Sequence, residues 1–168
     1  MIIGITGRAE TGKSTVARMF KGFKIINVDK VGHKVLQKQA YEKVIKTFGK
    51  KILNKNKTIN RKKLGKIVFS NKNKLKKLNK IMHSIMASKV KKMIKGKKVI
   101  LEAAVLFEMK LDKLCKKVIV VKRNVKSKLH KFQMPESKLI KKADFVIDNN
   151  STLANTKKQV LKIKKNIN

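Results

Sequence analysis

The sequence predicts an α/β fold built on a five-stranded parallel sheet flanked by helices, and three observations predict it. Short apolar runs occur at Ile2 to Ile5, Lys24 to Asn27, Lys98 to Leu101, Lys117 to Val121 and Phe145 to Ile147. Runs of this length without polar alternation read as strands buried on both faces. The segments between them change to a helical period, and strands alternating with helices build parallel sheets whose ligands sit outside the strand carboxyl ends. Finally, the first run passes directly into GRAETGKST, residues 7 to 15, which fits the phosphate-loop pattern G-x-x-x-x-G-K-[ST] in its required strand, loop and helix setting.

The elements follow in order. After the first strand, Gly7 and Gly12 let the backbone curl so that successive N–H groups face phosphate oxygens at the positive end of a helix beginning near Lys13. Thr15, Val16, Met19 and Phe20 carry that helix back over the sheet. Lys13 reaches the β and γ phosphates in this motif, and Ser14 offers its hydroxyl to Mg²⁺. Val35, Leu36, Val44, Ile45 and Phe48 mark one or two helices before Gly49, and Asn54 to Asn60 is a polar loop. Leu75, Leu78, Met82, Ile85, Val90, Met93 and Ile94 recur at helical spacing and mark one amphipathic helix ending before Gly96. Leu153, Val160, Ile163 and Ile167 predict a C-terminal helix after the Asn149-Asn150-Ser151 turn.

Composition narrows the function classes. A chain of 168 residues with 42% apolar content is expected to form one domain around one core. The chain enters a strand at once, and no segment has transmembrane length, so a soluble cytoplasmic protein without membrane association is expected. Cys115 is the single cysteine, which excludes an intramolecular disulfide framework and reads as a small buried hydrophobe. The formal charge of +37 resembles a nucleic-acid signature, but 42 Lys against 4 Arg, spread from Lys13 to Lys165, argue for compositional bias and at most non-specific polyanion association. With only 9 acidic residues, those at strand ends stand out: Asp29, Glu102, Glu108, Asp144 and Asp148. Asp29, just past the second strand, suits either a helix cap or a base that orients a hydroxyl toward a γ-phosphate. Glu102, ending the third strand, suits a carboxylate near a metal's water shell or a plain loop charge.

Taken together, these segments resemble the dephospho-CoA kinase family from Ile3 to about Ile163. GITGRAETGKSTVARMF is similar to the family's opening phosphate loop, with Arg8 and Glu10 replacing its usual glycines, although Glu also occurs at this point in the α subunits of heterotrimeric G proteins. NVDKVGHKV resembles the segment carrying the catalytic aspartate, which falls on Asp29. INRKKLGKIVFSN matches a family stretch through Arg61, Leu64, Gly65 and Phe69, and IMHSI keeps a histidine at His83 while Ser84 replaces a proline. LEAAVLFE is similar to Asp-x-Pro-Leu-Leu-Phe-Glu through Glu102, Leu106, Phe107 and Glu108, and FQMPESKLIKKADFVIDNN to the family ending through Gln133, Met134, Pro135, Lys138, Ala143, Asp144 and Asn149.

The resemblance implies a three-layer P-loop kinase fold over residues 1–168, with a helical substrate-side insertion at about 50–95. It implies an ATP- and Mg²⁺-dependent kinase that phosphorylates the ribose 3′-hydroxyl of dephospho-CoA. Asp29 and Lys13 would be catalytic. Gly7, Glu10, Thr11, Gly12, Lys13, Ser14, Thr15 and Asn149 would bind ATP, and Ser14 and Glu102 the metal. Asp29, Arg61, His83, Leu106, Phe107 and Glu108 would bind the acceptor, with helix packing or capping an equal reading for His83. One departure stands out: between the fourth strand and Gln133 the family has two arginine-bearing lid helices, whereas this chain has only KRNVKSKLHKF, a truncated lid at about 122–133. That departure keeps two alternatives open, another small-molecule or nucleotide kinase and a degenerate ATP- or polyanion-binding protein.

Overall fold

A computed structural model describes residues 1–94 and 98–167. Gly96, the expected stop of the long helix, lies outside the described residues. Backbone packing divides the chain into two compact units, residues 1–28 with 94–168, and residues 29–93. The helical insertion expected at about 50–95 falls largely within the second of these units.

The first unit carries the sheet. Strands β1 (Ile2–Thr6), β2 (Lys24–Asn27), β3 (Val99–Glu102), β4 (Lys117–Lys122) and β5 (Phe145–Asp148) pair entirely in parallel, in the order β2-β3-β1-β4-β5. The glycine loop thus leaves the central strand. Register places Ile5 opposite Glu102 and Thr6 opposite Val120, so the loop and the end of β3 emerge at one edge of the sheet. Helices α1 (Lys13–Arg18) and α7 (Leu153–Ile167) cover one face through Val16, Ala17, Val160, Ile163 and Ile167, which pack on Ile3, Ile5, Ile100, Ile119, Val121 and Ile147. Each such buried aliphatic contributes about 1.5–3 kcal/mol. Leu106 packs against β1 at Gly4 on the opposite face, beside Cys115 and Val118.

Burial on both faces holds for β1, β3 and β4 but not for β2 and β5. Those two lie at the sheet edges and expose Ile25 and Val146. An edge strand has a neighbour on one side only, so an apolar run by itself does not report complete burial.

The second unit is helical: α2 (Val28–Leu36), whose first residue belongs to the sheet unit, then α3 (Tyr41–Phe48), α4 (Arg61–Phe69) and α5 (Lys72–Met93). Val44, Phe48, Ile52, Ile59, Leu64, Val68, Met82, Met86 and Val90 are buried in it. The polar stretch 54–60 is a loop, closed by a bridge between Leu53 and Ile59. Asn60 caps α4 by accepting from the Lys63 amide at 3.0 Å, and Asn71 accepts from the amides of Asn73 and Lys74, which starts α5 as a separate helix. The remaining helix, α6 (Glu136–Lys141), packs on β4 in the first unit.

Candidate active site

The loop after β1 is built by its glycines. Gly7 and Gly12 have φ of +148° and +91°, which side chains rarely adopt. A Cβ on Gly7 would lie 2.3 Å from the Val121 carbonyl, and one on Gly12 would lie 2.2 Å from Asn149 Nδ2. Gly12 then starts α1, its carbonyl accepting from the amides of Thr15 at 3.0 Å and Val16 at 3.1 Å. Glu10 takes φ +66°, left-handed backbone at a position where the sequence resemblance expects glycine.

Side chains converge on this loop. Lys13 is buried, and its ammonium donates to the Arg8 carbonyl at 2.8 Å, an oxygen that also accepts from Thr11 Oγ1 at 3.0 Å. Ser14 Oγ donates to Glu102 Oε1, joining the first turn of α1 to the end of β3. This pair presents hard oxygen donors, the chemistry that suits Mg²⁺. Asn149 Nδ2 donates to the Thr11 carbonyl at 2.9 Å, while its own Oδ1 accepts from the buried Thr156 hydroxyl at 2.8 Å. The structure thus brings Gly7, Glu10, Thr11, Gly12, Lys13, Ser14, Thr15, Glu102 and Asn149 together within one unit. Asn149 meets the loop backbone and so braces the loop. Two buried polar atoms here have no hydrogen-bond partner: Thr6 Oγ1 and Arg8 Nε.

The shortened connection after β4 also docks on the loop. Its 3₁₀ turn, Lys128–Phe132, brings His130 Nε2 to 3.1 Å from the Ala9 carbonyl, and Gln133 Oε1 accepts the Ala9 amide at 2.9 Å. Ser127 Oγ donates to Glu10 Oε1 at 3.2 Å. Sequence reasoning assigned no role to Ser127 or Thr156, read His130 only as a local substitute for the charge of the missing lid, and gave Gln133 only as a family position. No spacing rule announces the contacts of Ser127, His130 and Gln133, which are made across more than a hundred residues of chain.

The expected acceptor residues are divided between the two units. Asp29 lies in the first turn of α2, two residues beyond β2. Arg61 Nη1 meets His33 Nε2. Burial, then Arg61, lowers the His33 pKa, with Asp29 opposing. His83 is half-buried in α5, and burial lowers its pKa. These residues belong to the second unit. Leu106 is fully buried, so the side chain expected to touch substrate is a core residue here. Phe107 is nearly buried under the Lys142 ammonium, and Glu108 is exposed. Asp144 is structural: although burial pushes its pKa up, Lys117 and the Val118 amide hold it below the usual carboxylate value. Burial pushes the Cys115 thiol up to about 12, which makes it inert, although the residue is half-buried rather than buried as expected.

A family model described as dephospho-CoA kinase matches residues 1–132. The chain belongs to the dephospho-CoA kinase family. A dephospho-CoA kinase of Fusobacterium nucleatum is 41% identical over 184 positions, covering 95% of each chain. That alignment is longer than the present chain's 168 residues, so the relative carries residues that this chain lacks. A dephospho-CoA kinase structure from Campylobacter jejuni superposes with TM-score 0.72 at 29% identity, covering 99% of this chain and 96% of that one. A Thermus thermophilus protein, TT1252, superposes with TM-score 0.81 over 99% and 96% of the two chains; at 23% identity it speaks for the fold alone. The chain is accordingly a P-loop kinase, a transferase that uses ATP, and neither alternative left open by the sequence is favoured. Among the described residues, no helix is long and apolar enough to cross a membrane.

Proposed function

We propose that this kinase transfers the γ-phosphoryl group of ATP to the ribose 3′-hydroxyl of dephospho-CoA, giving CoA and ADP. The observation that carries the reading is the loop of residues 7–14 on the central strand, with Lys13 buried inside it and Ser14 joined to Glu102, in a chain of this family. Its backbone amides and Lys13 would take the phosphates, for which the ammonium exchanges the Arg8 carbonyl for phosphate oxygens.

Mg²⁺ would be held by Ser14 and, directly or through water, by Glu102, where it neutralises phosphate charge. Asp29 would accept the proton of the attacking hydroxyl and orient it. Support for that role is its place two residues past β2, whose Asn27 pairs in register with Glu102 at the end of β3. Arg61, His83 and Glu108 are proposed to bind the acceptor. Leu106 is buried in the core of the sheet unit, and Phe107 offers the acceptor at most an edge.

The test is conversion of dephospho-CoA with Mg-ATP by the purified protein. Asp29→Asn is expected to lower turnover by about 10²-fold or more while ATP binding persists, since general bases contribute about 10²–10⁴. ATP-dependent phosphorylation of nucleoside monophosphates without CoA formation would overturn the acceptor assignment.

A further inference from the structure

Phosphoryl transfer involves little covalent chemistry for a protein to perform; its catalysis is positioning and charge placed where the transferring group becomes negative. An arginine is the side chain best suited to this, because its planar fork is always charged and matches phosphate oxygens two at a time. The chain has four arginines: Arg8, Arg18, Arg61 and Arg123. Arg18 sits in the last turn of α1, away from the loop, Arg61 pairs with His33, and Arg123 is exposed where β4 ends.

Arg8 differs from all of these. It is part of the phosphate loop itself, its carbonyl is the oxygen on which Lys13 rests, and its Nε is buried without a hydrogen-bond partner. The carboxylates at the loop are engaged elsewhere, Glu10 with Ser127 and Glu102 with Ser14. A guanidinium N–H removed from water and given no acceptor is unfavourable unless an acceptor arrives with the ligand. The acceptor this loop is shaped to bring is a phosphate oxygen, which also matches the charge of the guanidinium. Within the shortened connection the one arginine is Arg123, exposed at the end of β4.

We propose that Arg8 is a catalytic residue that donates to oxygens of the transferring phosphoryl group, an arginine supplied in cis by the phosphate loop. This rests on the kinase reading above. It assigns a role to a side chain at a position where the resemblance leads one to expect glycine, which has none to offer.

The experiment compares the parent with Arg8→Gly, Arg8→Gln and Arg8→Lys, measuring CoA formation, ADP release in the absence of acceptor, and equilibrium binding of Mg-ATP. Arg8→Gly and Arg8→Gln are expected to lower the rate of CoA formation about 10²-fold or more, with ATP affinity changed less than about fivefold; an arginine acting on this charge is worth roughly 10³ or more in well-studied cases. Arg8→Lys should recover only part of the rate, because an ammonium lacks the two-point grip. Unfolding with and without ATP identifies any variant that fails to fold, and Arg8→Lys, which retains stem and charge, then carries the comparison. A parent-like rate in folded Arg8→Gly overturns the proposal, and so does a loss of affinity as large as the loss of rate. If the parent makes no CoA, the acceptor assignment fails by itself; Arg8 is then judged on ATP hydrolysis by water, where the same loss is expected and its absence is equally decisive.

Discussion

Glu10 combines two unfavourable features, a left-handed backbone at φ +66° and a carboxylate on a loop shaped for phosphate. Left-handed backbone costs a side chain about 1 kcal/mol, and the single bond from the Ser127 hydroxyl to Glu10 is exposed and recovers little. Glu10→Gly is therefore expected to raise the melting temperature by a few degrees and to tighten ATP binding several-fold, checked by thermal unfolding and calorimetric titration. Weaker ATP binding in that variant would mean that the carboxylate serves the site. His83 makes a pH prediction of defined sign. Burial lowers its folded pKa below 6.5, so its contribution is complete above pH 6.5 and is lost as the pH falls below it, when the unfolded chain takes up a proton that the folded chain refuses. Melting temperatures taken from pH 7.5 to 5.5 should fall, and His83→Gln should flatten the fall; an unchanged slope would show that this burial is energetically minor. The cysteine and the loop glycines were legible one residue at a time, because each carries its reason in its own chemistry. Leu106 was not: a family position looks the same in sequence whether its side chain faces substrate or core.

At the scale of elements, hydrophobic period located the five strands within about a residue, the phosphate-loop helix and the C-terminal helix. It did not separate edge strands from central ones, since Ile25 and Val146 read as apolar wherever their strand lies. Nor did it mark α4, which Asn60 caps and which Asn71, accepting from the amides of Asn73 and Lys74, keeps apart from α5. The connection after β4 was expected to be an open and deficient lid. The structure shows part of it as a brace, with His130 and Gln133 on the two backbone polar groups of Ala9. His130→Ala with Gln133→Ala should consequently loosen the loop, weakening ATP binding by about tenfold and speeding hydrogen exchange at residues 8–11. If exchange there is unaffected, the brace is dispensable and the loop is held by Asn149 and its own glycines.

For the whole molecule, the dominant quantity is a formal charge of +37 on 168 residues. Such crowding destabilises the compact state through self-repulsion, which anions relieve by screening or binding. Sulfate should raise the melting temperature of the parent and of Lys13→Ala alike, whereas ATP should add a further increment only in the parent. Equal ATP stabilisation of both would mean that the nucleotide binds elsewhere. The lysines themselves carried almost no positional information, because a compositional bias distributes charge without regard to the site. The loop stood out against that background because glycines are scarce in it.

The strand order has a consequence for how the chain is made. β1 occupies the centre of the sheet, yet both of its neighbours, β3 and β4, begin roughly a hundred residues later. As the chain leaves the ribosome, the first strand and its glycine loop must wait, apolar and unpaired, while residues 29–93 emerge and complete a helical unit from local contacts. Loop closure over such a separation is slow compared with helix formation. The segment that defines the enzyme is thus synthesised well before its sheet neighbours and paired only once they emerge, and during that interval Ile2 to Ile5 needs protection from other chains.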